Sequence, residues 1–252
     1  PPLFPLEVVE RQDYAGGTAD PTVILRLRWQ DSSAMARLMG RGMPHFEAGD
    51  LVGIVPPGSP VPRYYSLASG FRDGFLEICV RRMPGGVCSG FLHGLKPGDR
   101  IQAFIKSNPG FTLGVSRHPV VLIGAGTGVA PLAGFIRGNV RKTPMFLYFG
   151  ARNPDEDFYF GTALRHWLEE GRLSALRTAF SRIKDGGGYV QDALRRDADR
   201  LRVLVAKGAV LRICGSRPMA AGVAEALDDI LRPLGLDVRR LRERGRYAED
   251  VF

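Results

Sequence analysis

The segment GAGTGVAP (124–131) is the first place in this 252-residue sequence where residue types and spacing suggest chemistry. It follows the apolar run VVLIG and leads directly into a helical pattern. Glycines let a backbone approach a pyrophosphate, and the opening turn of a helix offers free N–H groups and partial positive charge. The match to GxGxxG is incomplete because Val129 stands where the third glycine belongs. Alone, such a loop is equally an ordinary strand-to-helix turn. Its surroundings narrow the choice. A dinucleotide site for NAD wants a carboxylate about 20 residues downstream for the ribose 2′-hydroxyl. No Asp or Glu occurs between 100 and 154, whereas Arg137, Arg141, Lys142 and Arg152 do. Further on, FSRIKDGGGYVQ (180–191) offers Ser181, Arg182 and Lys184 for a phosphate and Tyr189 for stacking on adenine. Together these favour NADP over NAD.

A second pair of signals lies in the first half. RYYS places Arg63, Tyr64, Tyr65 and Ser66 in one strand, and a period of two sends Arg63 and Tyr65 to the same face. GGVCSGF (85–91) then opens a short helix, another anion-binding N-terminus. A ligand with a flat ring and a pyrophosphate would use both. The cysteines, Cys79, Cys88 and Cys214, are odd in number, widely spaced and without a CxxC. A disulfide framework and a structural zinc site are therefore improbable, and a reducing, cytosol-like compartment is expected. Cys79 reads as a core residue, and Cys214 alone would read as a small buried hydrophobe.

These residues need two kinds of scaffold. TVILRLRW (22–29) alternates apolar and charged residues, and DLVGIV, RYYSLA, FLEICV and RIQAFI follow at short spacing, separated by turn sequences such as PPGSP and KPGD. Five or six such strands predict an antiparallel β-barrel, interrupted by one short helix near 87–95. From about 117 the period changes. VVLIG (120–124) and MFLYFG (145–150) are continuous apolar runs, with ALRTAF (175–180) and VLRIC (210–214) in equivalent places. Helical patterns over 131–140, 158–170, 190–201 and 219–231 alternate with them, so an α/β Rossmann-like parallel sheet is expected. The expected division is 1–116 and 117–252. Residues 119–136 carry no charge over a membrane-spanning length, but their glycines and prolines fit strand, loop and helix better. The sequence starts PPLFPLEVVE, without an initiator Met or a signal pattern, which reads as an excised or processed start. A net charge of +9, mostly from Arg, suits phosphate ligands or an acidic protein partner. No nucleic-acid motif accompanies it, and a nucleic-acid partner is not expected.

RYYS, GGVCS, GAGTGVAP, YFGAR (148–152), SR…YVQ (181–191), CGSRPM (214–219) and RYAEDVF (246–252) occur here in the order seen in the ferredoxin–NADP reductase superfamily. The sequence resembles most the FAD/NADPH part of diflavin reductases, such as sulfite reductase flavoproteins and nitric oxide synthase reductase domains. That resemblance implies FAD and NADPH as cofactors. It implies Arg63 at the FAD phosphates with Tyr64 beside it, Tyr65 stacked on the flavin, and Ser66 near its reactive nitrogen. Gly86, Val87, Cys88 and Ser89 would hold the FAD pyrophosphate. Gly126, Thr127 and Gly128 would lie along the NADP pyrophosphate and nicotinamide, with Arg152 nearby. Ser181, Arg182, Lys184, Tyr189 and Gln191 would meet the 2′-phosphate and adenosine. Cys214 and Asp250 would join Ser66 at the hydride-transfer point, under a flavin-covering ring at Phe252.

There are departures from the family's pattern. Gly187 stands where a Lys is usual, Phe252 where Trp or Tyr is usual, and only eight residues (55–62) occupy the place of the long connecting domain. A smaller terminal ring should yield more easily, so better tolerance of NADH is expected. No FMN-binding flavodoxin-like segment is present. The implied activity is hydride transfer from NADPH to FAD, then single-electron transfer to an acidic carrier: a flavodoxin, a ferredoxin or an FMN domain possibly fused upstream. The alternatives are an NAD(P)H oxidase or flavin reductase, and a non-catalytic nucleotide-binding module.

Overall fold

The computed structural model describes residues 2–14, 20–29, 43–114, 116–184 and 186–252. Six strands form an antiparallel sheet: β1 (Phe4–Tyr14), β2 (Thr22–Trp29), β3 (Leu51–Ile54), β4 (Arg63–Ser66), β5 (Leu76–Arg81) and β6 (Arg100–Lys106). Their order is β4-β3-β6-β1-β2-β5. The Ala68 N–H donates to the Glu77 carbonyl at 2.8 Å, drawing the outer strands β4 and β5 together and curling the sheet into a barrel. In β2 the alternation sends Val23, Leu25 and Leu27 into the barrel. Ile24, on the other face, is also buried, because it packs against the second half of the molecule. Helix α1 (Val87–Gly94) adds Cys88 and Leu92 to the barrel's apolar core.

The second sheet is wholly parallel: β7 (Val120–Ala125), β8 (Met145–Ala151), β9 (Ala175–Phe180), β10 (Val210–Gly215) and β11 (Tyr247–Val251), in the order β11-β10-β7-β8-β9. The apolar run of β7 is continuous for a physical reason. Val120 and Leu122 face one core cluster while Val121 and Ile123 face the other. Helices α2 (Val129–Gly138) and α3 (Gly161–Glu169) cover one side of the sheet. Helices α4 (Val190–Arg196), α5 (Ala198–Ala206), α6 (Arg217–Leu231) and α7 (Val238–Glu243) cover the other.

Several expectations need correction. The helix expected over 190–201 is two helices, divided at Asp197, whose carboxylate accepts the Tyr148 hydroxyl at 2.8 Å. Strands β1 and β11 and helix α7 were not expected. In β1 the charged positions Glu7, Glu10 and Arg11 mask a pattern that buries Leu6 and Val8. The uncharged stretch 119–136 is β7, a glycine turn and most of α2, and no helix among the described residues is long and apolar enough to cross a membrane.

The two sheets share a continuous apolar cluster, in which Ile24, Ala68, Cys79 and Phe111 pack with α2 and α3. At Gly134 of α2 a Cβ would lie 2.7 Å from both Ala48 Cβ and the Ala68 carbonyl carbon, so only glycine lets the helix come this close. Buried Arg212 of β10 donates to the carbonyls of Phe111 (3.0 Å) and Thr112 (3.4 Å) in the crossing segment. Burial lowers its pKa from the ordinary arginine value, and the carbonyls take up its N–H groups.

Candidate active site

A cavity of about 1030 Å³ opens between the sheets, at the C-terminal ends of β7, β8, β9, β10 and β11 and beside β4. Open parallel sheets place their ligand crevices at these strand ends. Among the expected site residues, the cavity is lined by Tyr64, Tyr65, Ser66, Gly126, Thr127, Arg152, Ser181, Tyr189, Gln191, Cys214, Asp250 and Phe252. Arg63, Gly86, Val87, Cys88, Ser89, Gly128, Arg182 and Lys184 lie outside its lining.

Its central contact joins the two sheets. Ser66 Oγ, at the end of β4, donates to Asp250 Oδ2 of β11 at 2.6 Å. Cys214 is fully buried and pairs in register with Asp250 on one side and Gly124 on the other. Burial, and secondarily the Asp250 carboxylate, push the Cys214 thiol well above its ordinary value, so it is a neutral thiol. Phe252 is 60% exposed, and its backbone N–H donates to the Gly215 carbonyl at 3.2 Å.

The glycine turn between β7 and α2 is built for close approach. At Gly128 a Cβ would overlap the Cys214 carbonyl, and at Gly124 it would lie 2.7 Å from Leu132 Cδ1. Gly126 adopts φ 55° and has open space where a Cβ would point. The chain's own backbone therefore requires glycine at 128, a Cβ at 124 would meet the Leu132 side chain, and Gly126 borders the cavity.

On the barrel side, alternation places Arg63 and Tyr65 together as expected. Burial first, then a hydrogen bond with the Cys88 thiol, raises the Tyr65 phenol. Burial also raises Cys88, partly offset by Tyr65 and by the Arg63 charge. Tyr64 points the other way, edge-on to Phe104 at 5.9 Å with Lys106 Nζ 4.7 Å from its ring centre. Helix α1 starts at Gly86 with no side-chain cap, leaving its first amides without an intrahelical partner. Ser89 Oγ donates to the Gly86 carbonyl at 3.2 Å and accepts from the Met83 N–H at 3.1 Å. At Gly86 a Cβ would lie 2.5 Å from Ser89 Oγ, so this turn also depends on glycine.

The loop after β9 is different in character. Ser181 N–H and Arg182 N–H donate to the carbonyls of Ala151 and Arg152, at 3.0 and 2.9 Å, which ties the loop to the end of β8. Arg182 and Lys184 are exposed. At Gly187 a Cβ would lie 3.2 Å from the Phe180 carbonyl and 3.3 Å from that of Ile183. The loop is thus folded tightly at the position where the resembled family carries Lys. Tyr189 is 64% exposed, and its N–H donates to Asp192 Oδ2 at 2.8 Å at the start of α4. Arg152 reaches Asp20 of the barrel at 3.5 Å. Arg81, Met83, Ser216 and Met219 also line the cavity and were not expected there. Ser216 and Met219 lie within CGSRPM, so that signal was present; Arg81 needed the register of β5.

The cavity suits ring-and-phosphate ligands. Pockets for a single small molecule run to roughly 1,000 Å³, and this one combines that room with the glycine turn that opens α2, while the amides that open α1 lie outside its lining.

Residues 122–225 match the family described as oxidoreductase NAD-binding domain. The chain is 36% identical to human inducible nitric oxide synthase over 224 residues, covering 76% of this chain and 19% of that protein. It is 32% identical to NADPH oxidoreductase A of Dictyostelium discoideum over 223 residues, 76% of this chain and 34% of the relative. Against human NADPH–cytochrome P450 reductase it is 32% identical over 223 residues, 75% of this chain and 33% of the relative. The chain thus spans between about a fifth and a third of the length of these curated relatives.

Proposed function

We propose that this chain, which belongs to the ferredoxin–NADP reductase superfamily in the line of the diflavin reductases, is an FAD-containing, NADPH-dependent reductase. Residues 1–116 form its FAD-binding barrel and 117–252 its NADP-binding part. The chemistry that bound FAD would supply here is acceptance of a hydride from NADPH and release of the electrons one at a time. Arg63 and the opening amides of α1, from Gly86 to Ser89, hold the flavin's diphosphate, and Tyr65 lies against its ring, with Tyr64 alongside. Gly126, Thr127 and Arg152 line the path of the second dinucleotide, and Gly128 packs their turn against the Cys214 carbonyl. Ser181, Arg182 and Lys184 take its 2′-phosphate, and Tyr189 and Gln191 its adenosine.

The Ser66–Asp250 contact beside Cys214 carries this reading, because it assembles a hydroxyl, a carboxylate and a neutral thiol across the two sheets. Asp250 holds the Ser66 proton and so fixes the direction in which the hydroxyl points. The Cys214 thiol keeps its proton and adds no second negative charge beside the carboxylate. Phe252 covers the open side against water and moves aside for the nicotinamide ring. The acceptor is an acidic electron carrier or an FMN domain, drawn to a chain of net charge +9, and the setting is cytoplasmic.

Anaerobic titration of the yellow protein tests the reading. Stoichiometric bleaching by NADPH, and much slower bleaching by NADH, is the expected result. Equal bleaching by both would remove the roles of Ser181, Arg182 and Lys184. A colourless protein that takes up no FAD would overturn the reading entirely.

A further inference from the structure

Outside the lining of the cavity, one buried carboxylate ties the two halves together. Glu77 of β5 has a side chain only 3% exposed. Its carboxylate accepts from Arg26 Nε at 3.1 Å and Nη2 at 2.8 Å, within the barrel, and from Arg137, in the last turn of α2. Arg137 also donates to the Ala68 carbonyl, two residues past Ser66. The local backbone is pinned as well, since the Ala68 N–H donates to the Glu77 carbonyl and the Glu77 N–H to Ser69 Oγ, at 2.8 and 2.9 Å. Phe75 lies under both guanidiniums, 4.2 Å from Arg26 and 5.2 Å from Arg137.

These contacts complete a closed circuit. From Ser66 it runs along the chain to Ala68, across to Arg137, and back along α2 to Gly128. Gly128 rests on the Cys214 carbonyl, Cys214 pairs with Asp250, and Asp250 accepts the Ser66 hydroxyl at 2.6 Å. A helix is stiff along its length, so a displacement at the Arg137 end is delivered to the glycine turn. We propose that Arg137 and Glu77 are positioning residues for hydride transfer, resting this on the NADPH-dependent reading above. They touch neither cofactor. They set the distance between the two sheets at the reacting centre.

The test replaces Arg137 by Met, which keeps the length and loses the charge, and by Lys, which keeps the charge and loses the fork. Reduction of the flavin-loaded protein by saturating NADPH is followed anaerobically, with 4-deuterated NADPH to isolate the hydride step. Misplacement of reacting groups on the order of 1 Å can cost about 100-fold; a slowing of about tenfold is expected for Arg137→Met, with part recovered in Arg137→Lys. The deuterium effect should persist, and the dissociation constant for NADP⁺ should stay within about twofold, since the same bound geometry is loosened without loss of its contacts. Hydrogen exchange on the protein as purified gives a second readout. Amides of 65–70 and 247–251 should exchange faster in Arg137→Met while those of β7 and β8 keep their protection. An unchanged hydride rate in either folded variant overturns the proposal, as does loss of rate, nucleotide affinity and protection together. Should Arg137→Met fail to fold, Arg137→Lys decides alone, an unaltered rate counting against the proposal. Parent protein that NADPH does not reduce would sink the reductase reading itself, while the exchange contrast still scores the tether.

Discussion

The start of α1 and the loop after β9 are both proposed to meet phosphate, and they are built in opposite ways. At α1, Gly86 has no room for a side chain, Cys88 and Ser89 are buried, and the Ser89 hydroxyl is committed to the turn itself. What remains for a ligand is a fixed set of amides, whose ordering cost is met by folding. After β9, the cations Arg182 and Lys184 and the ring of Tyr189 are exposed. That site attracts by charge, through exposed side chains carried on a tied-down backbone. A rigid amide cradle suits a cofactor that stays, and an open cationic loop suits one that exchanges each turnover.

The largest expected effect comes from removing Arg63, the cation assigned to the phosphates at the rigid site. Arg63 forms no ion pair among the described residues, which leaves its charge available to a ligand. Hydrogen bonds involving charged groups contribute about 1.5–3 kcal/mol, so Arg63→Ala should weaken FAD binding by roughly tenfold to a hundredfold. Flavin content after gel filtration measures it, and full retention of FAD would break the comparison on the barrel side. Arg182→Ala should act on the open loop instead. About tenfold weaker NADPH binding is expected from the loss of one charge-assisted contact, with NADH binding unchanged and a shallower salt dependence. Equal losses for both nucleotides would mean that the loop does not read the 2′-phosphate. The smallest effect concerns the terminal ring. Deleting Phe252 should shift the NADPH/NADH rate ratio only a few-fold, roughly what one partly exposed aromatic contact is worth. An unaltered ratio would show that this ring plays no part in coenzyme selection.

The fold was legible where local pattern and burial agree. The alternating TVILRLRW and the continuous VVLIG correspond to β2 and β7, because β2 turns one face to the barrel interior and, beyond Ile24, the other outward, while β7 is covered on both faces by helices. Strand β11 was missed because YAEDV carries two acids. It is an outer strand that pairs on one side, with β10, so pairing and not apolar composition places it. The second half of the 190–201 helix was misread because Asp197 supports a Tyr148 contact from another strand, which no helical period encodes. In the cavity, the glycine turn and CGSRPM announced themselves by composition, whereas Arg81 emerged only once β5 had a register.

By itself, the sequence determined the succession of an antiparallel and a parallel sheet, and the residue types that meet around the cavity. Those follow from periodicity and backbone chemistry, which act over a few residues. Only the tertiary structure decided that Ser66 and Asp250, 184 residues apart, are joined by a hydrogen bond across the interface. It also decided that Glu77, an ordinary acid in a strand, is buried between two arginines from different halves. Such contacts depend on how the two sheets are brought together, through Gly134 and the common apolar cluster, and local sequence carries no record of that approach.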